Sequence, residues 1–572
     1  MLNFVECAAS QVRLHQRSCN SGENKRCIKT WLPSPPGRFN YWPYFLNRTT
    51  DSIAQPKGGV KVREPNLLLI LCFVLLFATI SGAGCTSQTS GASPPVPVPP
   101  STAVNNAALN GNYAFVFSGL TGNGGVSSVY ASVGRFTADG AGNLTNGELD
   151  TNTVAGAGAA QTFTGMYSIG NNNRGVMTLN FSSSSAKLAF AMLANGNAQF
   201  IEFDASGGAG TIGSGTMEKA DTTAYSTARI TGDYAFGAAG FDNAYNRAAI
   251  EGRFTSNGTG ALANADGDVN AYGTDYPMIF TGANYTVSNT ATGRGTMRLA
   301  FTFGGVPDSM NFVFYVVNSG KLFMLESDPV TTATPLLNGI VVQQQMPEGG
   351  FTNASLNGNM VILLTGHSAC GTVGGIPKTV VGLLTADSSG ALSLTYDENF
   401  CSAPHSVTDA AGTYSVAGNG RASITVGGYA LVAYLVKPNE VFLFVSDINV
   451  LFGAGEPQTA VSFTNTSLTG AYAGMATNPV GYEVTVFCGQ FAANGGSMTG
   501  TEDIGAPSGP NPGVAFNAIY SISPSPTNGR GVMTVTSGTG GNIVIYMISP
   551  TKFVAISQSD PKPAILMFEA KN

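Results

Sequence analysis

The phrase LNGNYAFVFSG (109–119) returns as ITGDYAFGAAG from Ile230, LNGNMVILLTG from Leu356 and LTGAYAGMATN from Leu468. The spacings are 121, 126 and 112 residues, and 105 residues run from Leu468 to the end. Tyr113, Phe115 and Phe117 alternate with Asn112, Ala114 and Val116, the period of a strand with one face turned inward.

Three more phrases follow in the same order in every copy. The second reads GRFTADGAGNL from Gly134, GRFTSNGTGAL from Gly252, GLLTADSSGAL from Gly382 and GQFAANGGSM from Gly489. The third is a tyrosine strand, a turn and an arginine: Tyr167 with Arg174, Tyr285 with Arg294, Tyr414 with Arg421, Tyr520 with Arg530. The fourth is an apolar strand ending at Asp204, Asp328, Asp447 or Asp560. Solenoid repeats and propeller blades are typically 20 to 50 residues, so units this long each own a core.

One copy holds eight strand-like segments: NYAFVFS, SVYASVGRFT, LTNGELD, TFTGMYSI, GVMTLNF, KLAFAML, AQFIEF and GSGTMEK. Asp139-Gly140, Asn257-Gly258 and Asn494-Gly495 stand where a type I′ hairpin wants positive φ. Consecutive hairpins predict an all-β chain of four tandem up-and-down barrels, since closure removes exposed edges. A two-sheet sandwich is the alternative. Eight strands enclose either packed side chains or one small ligand. The rhythm LxGxY…GxF…DGxGxL resembles avidin-type barrels. Those bind biotin through Trp, and no Trp follows Cys85, so biotin is not the expected ligand.

Charged residues make up only 10% of the chain, which suits tight-turned β-structure and disfavours long surface helices. After Cys85 there are 17 basic and 29 acidic residues, a net charge of −12. That balance excludes nucleic acid as a partner, since no basic patch is offered.

The segment LLLILCFVLLFATI (67–80) is apolar but shorter than a membrane span of about 20 residues. Lys61 and Arg63 precede it; Ser81-Gly82-Ala83-Gly84 and Cys85 follow. This is the layout of an export signal. Its exit resembles the bacterial lipoprotein signal, with Gly82 where Leu is usual. The resemblance implies a lipidated Cys85 holding the chain to a membrane of the cell envelope. Ordinary cleavage after Ala83, or an uncleaved anchor, are the alternatives. The Pro-rich stretch TSQTSGASPPVPVPPSTAV then forms a semi-rigid spacer of roughly 50–60 Å. Residues 1–59 fit no element and read as a non-native or disordered extension, with translation expected to start near Val60. The expected organisation is a signal over 60–84, anchor and tether over 85–108, and β-domains over 109–220, 230–345, 356–460 and 468–572.

Chemistry-bearing residues are few. The exported part has two histidines, His367 and His405, near Cys370 and Cys401. In a meander the two cysteines fall in loops at one barrel end. The four residues read either as a disulfide between Cys370 and Cys401, which an oxidising compartment favours, or as a Cys2His2 zinc site. Free thiols are the third alternative. Cys488, in an apolar strand, reads as a buried, inert thiol. The repeated Arg174, Arg294, Arg421 and Arg530, the repeated Asp204, Asp328, Asp447 and Asp560, and the set Asp150, Asp268, Glu398 and Asp503 read as Arg–carboxylate pairs or backbone caps at a barrel mouth. A ligand site common to all copies is the sharper alternative. Asn264, Asp266, Asp268 and Asn270 place oxygens at alternate positions, without the spacing of a calcium loop.

No catalytic set is present, and Gly-Ser-Gly at 213–215 is a lone match to nothing larger. The expected role is that of a non-enzymatic surface protein, structural, adhesive or an interaction scaffold, and no cofactor is called for. Its partner would be a surface polymer, a protein, or a small apolar or sugar ligand in the barrel cavities. A metal-dependent activity at His367, Cys370, Cys401 and His405 is the remaining alternative.

Overall fold

The computed structural model describes residues 105–571, except 124–125, 205–210, 272, 371–372, 402, 461–462, 478–484, 523–527 and 560–563. The extension, the export signal, Cys85, most of the tether and Asp560 lie outside the described residues. The rest folds into four closed antiparallel barrels of eight strands. We call them barrel I (110–219), barrel II (231–343), barrel III (357–457) and barrel IV (469–570). Each is a meander whose eighth strand pairs back onto its first.

All eight segments of the first copy are strands: Asn110–Asn123, Val126–Asp139, Asn143–Thr153, Gly158–Ile169, Arg174–Asn180, Ser185–Met192, Ala198–Glu202 and Thr211–Lys219. The hairpin after the second strand differs from expectation. Asp139 is not among the positive-φ residues; Gly140 and Gly142 are. The Asp139 carboxylate instead accepts from the backbone N–H of Ala141, Gly142 and Asn143 at 2.7, 2.9 and 2.9 Å. This loop is longer than a two-residue I′ turn and is held by its first side chain.

The repeated phrases have one structural task. A short 3-10 turn precedes each first strand, at Asn106–Ala108, Thr227–Arg229, Asn353–Ser355 and Asn465–Ser467. The repeated tyrosine reaches back to close that end. Tyr167 donates to the carbonyl of Leu109 at 2.7 Å, Tyr285 to Ile230 at 2.9 Å and Tyr414 to Leu356 at 2.9 Å, and Tyr520 donates to Leu468. Leu109, Ile230, Leu356 and Leu468 are all buried beneath. The lumens are filled with side chains. In barrel I, Phe115 and Phe117 pack on Phe200, and Tyr113 stacks on Phe136. The glycine of the GRF phrase makes room for this: a Cβ at Gly134 would sit 2.5 Å from the Phe115 ring, and one at Gly252 2.6 Å from that of Phe236.

The barrels are not beads on a string. The first to third strands of each pack against the sixth to eighth of the next. Barrel I meets barrel II through Ala114, Val129 and Val133 against Val313, Tyr315 and Phe323. Barrel II meets III through Ala235 and Ala249 against Val432, Tyr434 and Phe444. Barrel III meets IV through Val361 and Val381 against Val544, Tyr546 and Ile556. Barrel IV returns to I through Met475, Val486 and Cys488 against Ala189, Ile201 and Ile212. Head-to-tail contacts of one kind generate a ring when the rotation closes, and here it closes after four. The sequence reading, with one inward face per strand, did not foresee this second buried face.

Candidate functional site

Each joint of the ring is built around one aspartate. It lies on the outer side of a third strand: Asn143–Thr153, Leu262–Ala271, Ala391–Phe400 or Ser497–Gly505. The arginine that meets it opens the fifth strand of the neighbouring barrel. Arg294 grips Asp150 with Nε at 2.8 Å and Nη2 at 2.7 Å. Arg421 grips Asp268 at 2.7 and 2.7 Å, and Arg530 grips Asp397 at 2.7 and 2.7 Å. Arg174 and Asp503 complete the circle with the same two-pronged pair, Nε lying 3.0 Å from Oδ2. Two parallel charge-assisted bonds fix orientation as well as distance.

A tyrosine completes three of these latches. Tyr315, Tyr434 and Tyr546 each donate to the same aspartate at 2.7 Å. Burial pushes their hydroxyls far above the usual range, and the adjacent aspartate pushes further. The hydrogen bonds they donate to the aspartate raise Arg294, Arg421 and Arg530 against the opposing effect of desolvation. An asparagine two residues beyond the aspartate ties the same joint. Asn152 donates to the carbonyl of Glu326 at 2.8 Å, Asn270 to Val445 at 2.5 Å and Asn399 to Ser557 at 2.7 Å.

The joint between barrels IV and I is built differently. Ala191 pairs with Arg174 where the other barrels have the tyrosine. Gly505 stands where the asparagine would be, and a Cβ there would lie 2.9 Å from the Glu202 carbonyl. Gln490 and Lys571 donate to the carbonyls of Met192 at 3.2 Å and Asn172 at 2.7 Å, the places that Gln344 and Gln458 serve at the joints of barrels II with III and III with IV.

The repeated polar residues are thus sorted by the structure. The four arginines span joints. Asp204, Asp328 and Asp447 cap backbone within their own barrels, accepting from the N–H of Lys187, Asn311 and Asn449. In the third copy the latch uses Asp397, not Glu398; Glu398 points the other way, with Leu394 and Tyr396, into barrel III. Asn264, Asp266, Asp268 and Asn270 do not converge on an ion. Asp266 accepts from Asn419 at 2.9 Å, and Asp268 and Asn270 serve the joint.

At one mouth of barrel III, Cys370 and Cys401 are disulfide-bonded, with Cα atoms 5.9 Å apart. Bonded sulfurs are not thiolate ligands. His405 Nδ1 lies 3.5 Å from Glu398 Oε1. His367 faces away, against Phe241 and Tyr245 of barrel II at 5.0 and 5.2 Å. Among the described residues no group of three or more His, Cys, Asp or Glu is placed to hold a metal. The lumen at this mouth holds residues the sequence reading passed over. Lys378 Nζ pairs with Glu398 at 2.9 Å beneath the rings of Phe400 and Tyr429, and Tyr429 donates to Glu398.

Where the four barrels meet, a cavity of about 290 Å³ opens, with walls from all four. Glycines on the seams of barrels II and III line it. A Cβ at Gly240 would fall 1.6 Å from the Leu336 carbonyl, and one at Gly453 1.8 Å from that of Leu363. Gly237 leaves space for the rings of Phe442 and Phe452 from barrel III.

No protein-family model matches the chain, and no curated protein matches it. Among solved structures it is similar to two mutants of the vaccine antigen Transferrin Binding Protein B from Haemophilus parasuis Hp5. The identities are 11% and 10%, the coverage 81% of this chain and 96% of theirs, and the TM-scores 0.17 and 0.16.

Proposed function

We propose that this chain is an exported, non-enzymatic scaffold of the cell envelope, held to a membrane through a lipidated Cys85. The observation that carries the scaffold reading is the fourth latch, in which Arg174 and Asp503 join residues 329 apart. It turns four tethered domains into one rigid body. Filled lumens leave rim loops and the ring axis as the surfaces for a protein, surface polymer or small ligand. The apolar run before Cys85 and the Pro-rich stretch after it support export and reach.

Two measurements test the reading. Growth with a labelled fatty acid should mark the wild-type chain, and Cys85→Ser should lose the label and leave the membrane fraction. A wild-type chain without label refutes the anchor. Calorimetry of the exported part should show the barrels melting as one unit; four independent transitions would refute the rigid scaffold.

A further inference from the structure

The axial cavity is apolar with one charge. Phe241, Leu336, Ile340, Phe442 and Phe452 form much of its wall, and Arg247 is its single charged lining residue. Four interior arginines, Arg174, Arg294, Arg421 and Arg530, pair with aspartates, and Arg135, which has no carboxylate partner among the described residues, is held through both Nη groups by Asn146, Asn112 and Thr137. Arg247 differs. Among the described residues no carboxylate pairs with it, and its buried Nε has no hydrogen-bond partner. Its guanidinium carbon lies 4.7 Å above the Phe241 ring, which itself stacks on Tyr245 at 4.5 Å. Burial lowers its pKa to about 10, so it stays cationic at neutral pH.

A second unsatisfied group lines the same space. The hydroxyl of Thr477, contributed by barrel IV, is buried without a hydrogen-bond partner among the described residues. Thr477, Val116 and Ser118 also border a neighbouring cavity of about 170 Å³, which Met475 and Met567 extend toward barrel IV. A cationic head, an unused hydroxyl and an apolar, methionine-lined extension define an amphipathic site. Leaving buried polar groups unpaired is unfavourable, and a ligand that supplies their partners removes that cost.

We infer that the ring axis binds a small amphipathic monocarboxylate, its carboxylate on Arg247 and its hydrocarbon among the phenylalanine and methionine side chains. The cavity lies near the lower end of ligand-pocket sizes, about 300–1,000 Å³, which limits the ligand to a short chain or single ring. The site exists only in the closed ring, since no barrel supplies all its walls. It goes beyond the scaffold reading, and a ring that binds nothing would leave that reading intact.

Octanoate and octanamide are the probes, equal in length and differing in charge. Calorimetric titration of the full chain should show one saturable octanoate site, with octanamide at least about tenfold weaker, the factor expected for one charge-assisted pair. Arg247→Met should weaken octanoate by about the same factor and erase the preference, while Arg247→Lys keeps it. Thr365→Phe, filling the cavity from barrel III, should abolish binding of both with Arg247 intact. Equal affinity for the two probes, octanoate binding unchanged by Arg247→Met, or no saturable binding in the millimolar range would each overturn the assignment.

Discussion

At the scale of the residue, the latch aspartates set the terms. Asp150, Asp268, Asp397 and Asp503 are all nearly inaccessible to solvent. Removing the partner of a buried charge costs more than forming the pair gained, about 3–5 kcal/mol when both are buried. The arginines at three joints keep 19–31% exposure, so Arg294→Met should cost somewhat less, about 2–3 kcal/mol. Tyr315→Phe removes one bond from a carboxylate still held by arginine, and should cost about 1–2 kcal/mol. Urea unfolding of both variants checks the order; a larger loss for the tyrosine would contradict this account.

Glu251 is the residue-scale anomaly. It stands opposite Asp268 on the joint face, fully buried, where the other barrels have Val133, Val381 and Cys488. Burial raises its pKa well above the ordinary value of 4.5, and Asp268 raises it further. The folded chain therefore keeps a proton that the unfolded chain releases. Stability is full below the ordinary glutamate range and falls as pH rises through the folded value. Glu326, also fully buried, acts in the same sense, and Glu502 does so with a value of about 7. Glu251→Gln should melt like wild type near pH 4.5 and progressively higher than wild type toward pH 8. A constant difference across that range would exclude a buried, protonated Glu251.

At the scale of the element, two buried faces replaced one. The expectation of strict alternation holds in the outward fourth strand of barrel IV, Asn511–Ile522, whose last residues alternate between exposed and buried. It fails in the sixth strands. NFVFYVV (311–317), ALVAYLV (430–436) and NIVIYMI (542–548) are apolar without alternation, as strands buried on both sides are. That run was the legible sign of the joints, and it contains Tyr315, Tyr434 and Tyr546. Repeat position aligns Glu398 with Asp150, Asp268 and Asp503, but neighbours on a strand point to opposite faces, and only the register shows that Asp397 meets the next barrel. The first and eighth strands meet at glycines, so Gly453→Ala should strain the seam of barrel III by about 1–3 kcal/mol or more. Its measure is a lower denaturation midpoint with the disulfide intact. The Cys370–Cys401 bridge closes a loop 31 residues apart, and breaking it with paired alanines should cost about 3–4 kcal/mol in the chain-entropy account. An unchanged midpoint would mean that the barrel constrains the loop without it.

At the scale of the whole molecule, the joint between barrels IV and I is the place to open the ring. It lacks the tyrosine and the asparagine, and its ends are joined by no linker. Cys488 reports on it, since this thiol is fully buried among Ala189, Ile201 and Met475. Native wild type should resist alkylation there. Arg174→Met should raise the Cys488 alkylation rate by about a hundredfold or more, as about 3–5 kcal/mol of joint stability is lost where both partners are buried, while Arg294→Met should not. Equal rates in both variants would mean the ring has no preferred seam.

The sequence by itself determined the barrels: their number, their eight strands and the phrases that recur, a tyrosine strand among them. Those follow from alternation and turn chemistry, which act between residues close along the chain. Only the tertiary structure decided the ring. Its latches join residues 133 to 329 positions apart on outward faces. A polar residue facing a neighbouring barrel reads in the sequence like one facing water, because the physics of pairing depends on what stands opposite. The same holds for Arg247, an ordinary strand-starting arginine until four barrels enclose it.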